Sequence, residues 1–142
     1  AIGASLEAMA GLGVPVITTV IGEGGSGGAL ALGVANRVLV LEFSYYSVIT
    51  PEGCAAILWK SAEHAPEAAA RLKITAPHLL ELGVVDRIVE EPPGGAHQDY
   101  DQAARVLDQV LYEELNALSG LSPDELREDR YQRFRKLGSF IA

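Results

Sequence analysis

Residues 14–32 read VPVITTVIGEGGSGGALAL, and no other stretch constrains the fold as much. Apolar, largely β-branched residues run into a dense set of glycines, and small helix formers follow at once. The pattern predicts a strand, a tight turn and a helix. A helix entered so abruptly presents unpaired backbone N–H groups at its N-terminus. Such groups hold an anion, whether a phosphate or an oxyanion formed during a reaction. Glycine lets a ligand approach this backbone with no Cβ in the way.

The turn fits three motifs. Gly22, Gly24 and Gly27 fit G-x-G-x-x-G, the dinucleotide-binding fingerprint, with Glu42 near the place of a ribose-binding acid. Gly24, Ser26 and Gly28 fit G-x-S-x-G, the nucleophile elbow of a serine hydrolase, with Asp86 and His97 following in chain order. The third reading is an oxyanion hole with no side-chain nucleophile, made by the N–H groups of Gly27 and Gly28. So many glycines produce chance matches to the first two patterns. The residues that follow favour the third reading. Residues 37–42 read as a strand, and only Phe43 and Ser44 separate it from a β-rich run at 45–49. A nucleotide-binding βαβ unit needs a helical crossover there, and none fits. None of His64, His78 and His97 sits in a motif, and a serine among glycines is commonly a turn former.

Thr50 and Pro51 then open a helix as N-cap and first helical residue. Four blocks appear in order: IGEGGSGGAL at 21–30, YSVITPEGCAAILWK at 46–60, EPPGGAH at 91–97 and RYQRFRKLG at 130–138. Together they resemble the C-terminal half of the α subunits of bacterial acetyl-coenzyme A carboxylase carboxyltransferases, over essentially the whole chain.

That resemblance implies a crotonase-type α/β fold, a spiral of stacked βαβ turns with C-terminal helices. Residues 1–142 would be the C-terminal portion of one carboxyltransferase domain. The implied activity moves a carboxyl group from carboxybiotin, on a separate carrier protein, to acetyl-CoA. The product is malonyl-CoA, at the first committed step of fatty acid biosynthesis. The implied partners are a carboxyltransferase β subunit, a second α subunit in an α2β2 assembly, and the biotin carboxyl carrier protein. Carried onto this sequence, the backbone N–H groups of Gly27 and Gly28 stabilise the oxyanion on the biotin ureido group. A matching pair on the β subunit serves the acetyl-CoA enolate. Gly24, Gly25 and Ser26 shape the biotin-side turn, and Gly53 allows close approach to the pocket. The biotin-derived anion can itself take the acetyl proton, so no His or Glu base is required. A serine hydrolase using Ser26, or a non-catalytic assembly piece, stand as alternatives.

Composition sets wider bounds. Hydrophobic residues are 49% of the chain, enough for a core. A net charge of −8 argues against a nucleic-acid partner, although local basic groups can still hold the phosphates of coenzyme A. The single cysteine, Cys54, excludes an internal disulfide and agrees with a reducing cytoplasm; it is expected to be a buried small residue. No zinc-type ligand spacing, signal peptide or membrane span is legible.

Along the rest of the chain we expect helices at 1–11, 27–35, 51–60, 66–73, 76–82 and 101–118, and strands at 14–21, 37–42, 45–49 and 84–89. The first helix has apolar Ile2, Leu6 and Met9 but no N-cap, and reads as the second half of a longer helix. Asp86 is expected as a polar residue between core valines. His97 lies in a loop as a solvated residue or a pocket wall. In helix 101–118 the apolar face is Ala104, Leu107, Leu111, Leu115 and Leu118, and its acids form a solvated face. Ser122, Pro123 and Glu125 form a capping box. They open a last helix with Arg127, Arg130, Arg133, Arg135 and Lys136. That helix is expected to show a solvated basic face, with Tyr131 and Phe134 packing inward or against another subunit; docking or phosphate attraction is the sharper alternative.

Overall fold

The computed structural model describes residues 1–138; positions 139–142 of the expected domain lie outside the described residues. The chain opens with α1 (Ile2–Gly11) and enters β1 (Ile17–Val20), β2 (Glu23–Gly25) and α2 (Ser26–Leu32). A second pass follows through β3 (Arg37–Leu41), β4 (Tyr45–Ser47) and α3 (Pro51–Trp59). A 3-10 turn at Ala62–His64 leads to α4 (Ala65–Leu72) and α5 (Ala76–Glu81), then β5 (Arg87–Val89). Two longer helices, α6 (Tyr100–Leu118) and α7 (Pro123–Arg135), complete the described chain.

The strands form two small parallel sheets, one ordered β1-β3-β5 and one made of β2 and β4. Ile17 pairs with Arg37 in the first, and Glu23 pairs with Tyr45 in the second. Each pass of the chain therefore adds one strand to each sheet. The runs at 37–42 and 45–49 are not partners of one another: the chain steps from one sheet to the other through Glu42, Phe43 and Ser44. The expected strand 14–21 is shorter, and Glu23–Gly25 is an additional strand defined by its pairing to β4 rather than by side-chain preference.

β3 is the centre of the core. It lies between β1 and β5, and residues 38–41 are all buried. Val38 and Val40 face a cluster with Val20, Ala76, Leu79 and Val85. Leu39 and Leu41 face the other way, against Val89 and Val110 of α6. Alternate residues of one strand thus serve two cores, which makes β3 continuously apolar.

The caps follow the sequence. Thr50 Oγ1 accepts from the Gly53 N–H at 3.1 Å. Ser122 and Glu125 exchange reciprocal bonds at the start of α7. Thr75 precedes α5 as expected, but its hydroxyl pairs with His78 Nδ1 at 3.0 Å instead of a backbone N–H. Gly83 ends that segment in the left-handed region.

Two expectations about the long helices are corrected. On α6 the apolar face is rotated: Val106, Leu107, Val110, Leu111 and Leu118 pack inward, while Ala104 and Leu115 are exposed. The acid Glu114 joins the inward side, within 3.5 Å of Arg37 and 3.4 Å of Arg87. Those two arginines on the sheet draw the acid in.

The basic face of α7 is not a solvated face throughout. Arg130 is only 1% exposed. One of its terminal nitrogens donates to the carbonyls of Met9, Ala10 and Leu12, at 2.9–3.1 Å, at the end of α1. The other donates to the Val14 carbonyl at 3.1 Å and to Asn36 Oδ1 at 2.9 Å. A guanidinium fork suits this set, because helix C-terminal carbonyls lack intrahelical donors and carry partial negative charge. Asn36 is fully buried and completes the knot: its Oδ1 also accepts from the Val16 N–H, and its amide donates to the Leu126 carbonyl. Burial lowers the Arg130 pKa from its ordinary value. Arg133 ties α7 to the sheet by donating to Asp86 Oδ2 at 2.9 Å and to the Val84 carbonyl at 2.6 Å. Asp86 also accepts from the Val38 N–H at 2.7 Å, so it is a clasp between strand and helix. Of the aromatic pair, Phe134 is half-buried, while Tyr131 is exposed.

Replacing Arg130 with alanine removes the side-chain donor from four part-buried carbonyls and from buried Asn36, and leaves a void in the core. We expect a loss of about 3 kcal/mol or more in urea denaturation. Arg135→Ala, on the exposed part of the same helix, should change the midpoint little.

Candidate functional site

The glycine turn is built at the step from β2 to α2, with no intervening loop residue. Gly24 and Gly25 lie in β2; Ser26, Gly27 and Gly28 are the first three residues of α2. The N-cap residue is Gly25, which has no side chain to cap the first-turn N–H groups. The N-terminal donors of this helix therefore stay available to an outside acceptor.

The direction change is concentrated in Ser26, whose φ is 60°. A non-glycine residue in the left-handed region costs roughly 1–2 kcal/mol. The strain is located at the residue that aims the following N–H groups.

Space around the turn is uneven. A methyl group at Gly28 would meet nothing within 4 Å, so this residue faces open space. At Gly27 it would stand 3.0 Å from Ile2 Cδ1, because α1 crosses the start of α2. At Gly24 it would stand 2.9 Å from Val20 Cγ1 and 3.0 Å from Tyr46 Cδ2. Gly24 is thus required by packing beneath the turn, whereas Gly28 is free on its outer side.

Two cavities meet at this turn. One, of about 360 Å³, is lined by residues 18–25 together with Ala29, Leu32 and Tyr46. The other, of about 290 Å³, has Ser26, Ser47 and Val48 at its wall and is otherwise mostly apolar, with Leu30, Leu79 and Phe134. The Tyr46 hydroxyl donates to the Ala29 carbonyl at 3.1 Å. Burial raises its pKa, against the smaller influence of Arg133, so it remains a donor at neutral pH. Neighbouring Tyr45 is also raised, by desolvation and by the nearby Glu23 carboxylate.

Gly53 sits in the first turn of α3, where its N–H is taken by Thr50. A Cβ there would lie 3.1 Å from Ile49 Cγ1 and 3.2 Å from Thr50 Oγ1, so local packing accounts for this glycine. Cys54 beside it is half-buried and free.

The triad suggested by chain order is not assembled. Asp86 is held by Val38 and Arg133. His97 Nε2 pairs with Gln98 at 2.9 Å, in a loop that Glu91 fastens to Phe43 and Ala96. His64 stacks on Trp59, and His78 pairs with Thr75. No hydrogen bond among the described residues links Ser26 to a histidine. Among them, too, no group of three or more His, Cys, Asp or Glu is placed to hold a metal ion, and no helix is long and apolar enough to cross a membrane.

Sequence reasoning placed the glycine pair at the start of a helix, where it lies, but missed Tyr46 as part of the same construction. The available signal was the spacing of Gly24, Gly33 and an aromatic residue on the next strand.

The chain is similar to known proteins. The family described as acetyl co-enzyme A carboxylase carboxyltransferase-like matches residues 1–138. The acetyl-coenzyme A carboxylase carboxyl transferase subunit alpha of Sorangium cellulosum is 73% identical over 99% of this chain and 44% of its own length. Its counterpart in Thermus thermophilus is 59% identical over 98% of this chain and 45% of its own length. The chain thus spans less than half the length of these relatives. Among solved structures, a chain of the Pseudomonas malonate decarboxylase hetero-tetramer in complex with coenzyme A superposes with a TM-score of 0.66. The identity is 23%, over 95% of this chain and 53% of that one. A hetero-dimer of the Pseudomonas enzyme gives a TM-score of 0.65 at 21% identity, over 94% of this chain and 54% of that one. These likenesses show the fold, which is the crotonase-like stacking of parallel strands expected from the sequence.

The packing makes a direct prediction. Gly24→Ala should destabilise by about 1–3 kcal/mol in thermal or urea unfolding, because Val20 and Tyr46 must move. Gly28→Ala should fold at least as well as the parent, since its methyl meets no neighbour and alanine favours a helix.

Proposed function

The chain belongs to the acetyl-coenzyme A carboxylase carboxyltransferase family, and from that premise we propose that it carries the biotin side of a carboxyl-transfer site. The observation that carries this reading is the uncapped N-terminus of α2, with Gly28 facing open space. The donor set fits an oxyanion: backbone N–H groups, a helix dipole and no competing side chain.

Carboxybiotin, brought by a biotin carboxyl carrier protein, supplies an activated carboxyl group whose departure leaves negative charge on a ureido oxygen. The chain's own task is to stabilise that charge. The N–H groups of Gly27 and Gly28 belong to the first turn of α2, whose N-cap supplies no side-chain acceptor, so they serve as donors set in place before charge develops. Ser26 holds the backbone in the strained conformation that aims them. Gly24 and Gly25 let the turn pack tightly beneath. Ile2 and Leu30 border the helix end with apolar surface, which strengthens electrostatic interactions there. The acceptor is acetyl-CoA, held largely by a β subunit, and the product is malonyl-CoA. The assembly is a heterotetramer of two α and two β subunits.

The test uses the full-length protein combined with a carboxyltransferase β subunit. Run in reverse, it follows malonyl-CoA-dependent carboxylation of a free biotin analogue. Gly28→Val should lower the rate by about a hundred-fold or more, comparable to loss of an oxyanion donor, with the complex still assembled. Ser26→Ala should retain most activity, since the hydroxyl takes no part. A Ser26→Ala enzyme that loses nearly all activity, or a Gly28→Val enzyme that keeps it, would overturn the proposal.

A further inference from the structure

The helix end described above must be held still, and one side chain is built through the fold to do it. Tyr46 stands on β4, directly opposite Gly24 in the neighbouring strand. Its ring fills the space that a Gly24 side chain would occupy, at 3.0 Å from that position. Its hydroxyl reaches across α2 to the Ala29 carbonyl, at 3.1 Å. A methyl at Gly33, just past the end of the helix, would come within 2.5 Å of this hydroxyl oxygen. Two glycines, one before and one after α2, therefore leave room for one aromatic side chain. The same ring borders both cavities that meet at the turn. On the far side β4 is fastened by the Tyr46 N–H, which donates to the Ile74 carbonyl at 3.1 Å.

We propose that Tyr46 is a positioning residue for carboxyl transfer: a strut that fixes the tilt of α2, and hence the aim of the Gly27 and Gly28 N–H groups. The inference rests on the functional reading of that helix end. Ala29 immediately follows Gly28, so a bond to its carbonyl acts on the same helical turn as the donors. α2 needs such a strut because it is only seven residues long and few of its residues are buried. Short helices are marginal on their own. The hydroxyl contributes orientation and touches no reacting atom.

The experiment uses the full-length chain assembled with its β subunit, with malonyl-CoA and a free biotin analogue as substrates. Tyr46→Phe keeps the ring and removes the bond to Ala29. It should lower kcat by about three- to ten-fold, the worth of one buried hydrogen bond, with both KM values within about two-fold of the parent. Gly33→Ala pushes the hydroxyl away and should give a similar loss. Added to Tyr46→Phe, it should cost less than it does alone, because only the Ala29 carbonyl, 3.1 Å from its methyl, then crowds it. An unchanged kcat in Tyr46→Phe with only a lowered melting temperature would make Tyr46 a packing residue and overturn the strut. So would losses from the two substitutions that simply multiply. Gly28→Val separates the two levels of the argument. If it abolishes transfer while Tyr46→Phe is silent, the strut alone fails. If Gly28→Val is silent, the helix-end reading fails and takes the strut with it.

Discussion

Parallel pairing between successive passes of the chain governs this structure. Two adjacent parallel strands cannot be joined by a tight turn, so the chain must leave the sheet and return. Here it leaves β1, lays β2 into a second sheet, runs through α2 and comes back as β3. The pairing of β2 with β4 repeats the step one level on. With both ladders in register, the start of α2 has little freedom. It must begin where β2 ends, and the direction change falls on one residue, Ser26. The uncapped helix end is thus a result of topology as much as of glycine content.

The small residues around the turn have separate reasons. Gly24 is small because Val20 and Tyr46 already occupy its side-chain space; Gly33 is small because of the Tyr46 hydroxyl. Gly28 has no such neighbour. A glycine that internal packing does not require, on an uncapped helix end, directs attention outward to whatever approaches that surface. The distinction cannot be made from the letters alone, where all these glycines look alike.

The strand-to-helix step, the caps at Thr50 and Ser122, and the glycine pair were legible because each follows from local chemistry: β-branching, hydroxyl acceptors, and missing Cβ atoms. β2 was not, since two of its three residues are glycine and only its partner strand makes it a strand. The face of α6 was placed wrongly because an amphipathic pattern shows where apolar residues fall, while Arg37 and Arg87 on the sheet pulled Glu114 inward. Arg130 was the largest miss. A helix with five basic residues reads as solvated, and nothing near position 130 announces the carbonyls that wait near position 10. Those acceptors are main-chain atoms, invisible in a sequence pattern.

The knot around Arg130 and Asn36 also sets an order of events. A ribosome delivers the end of α1 and the entry to β1 more than a hundred residues before it delivers the guanidinium that satisfies them. Until then the carbonyls of Ala10, Leu12 and Val14 lack that donor, and buried Asn36 has only one of its four side-chain partners, the Val16 N–H. Contacts this distant in sequence are slow to form, because the whole intervening loop must close first. The sheet can assemble early, but β1 is locked only when α7 docks. Locking of β1 is thereby coupled to the closing of that long loop.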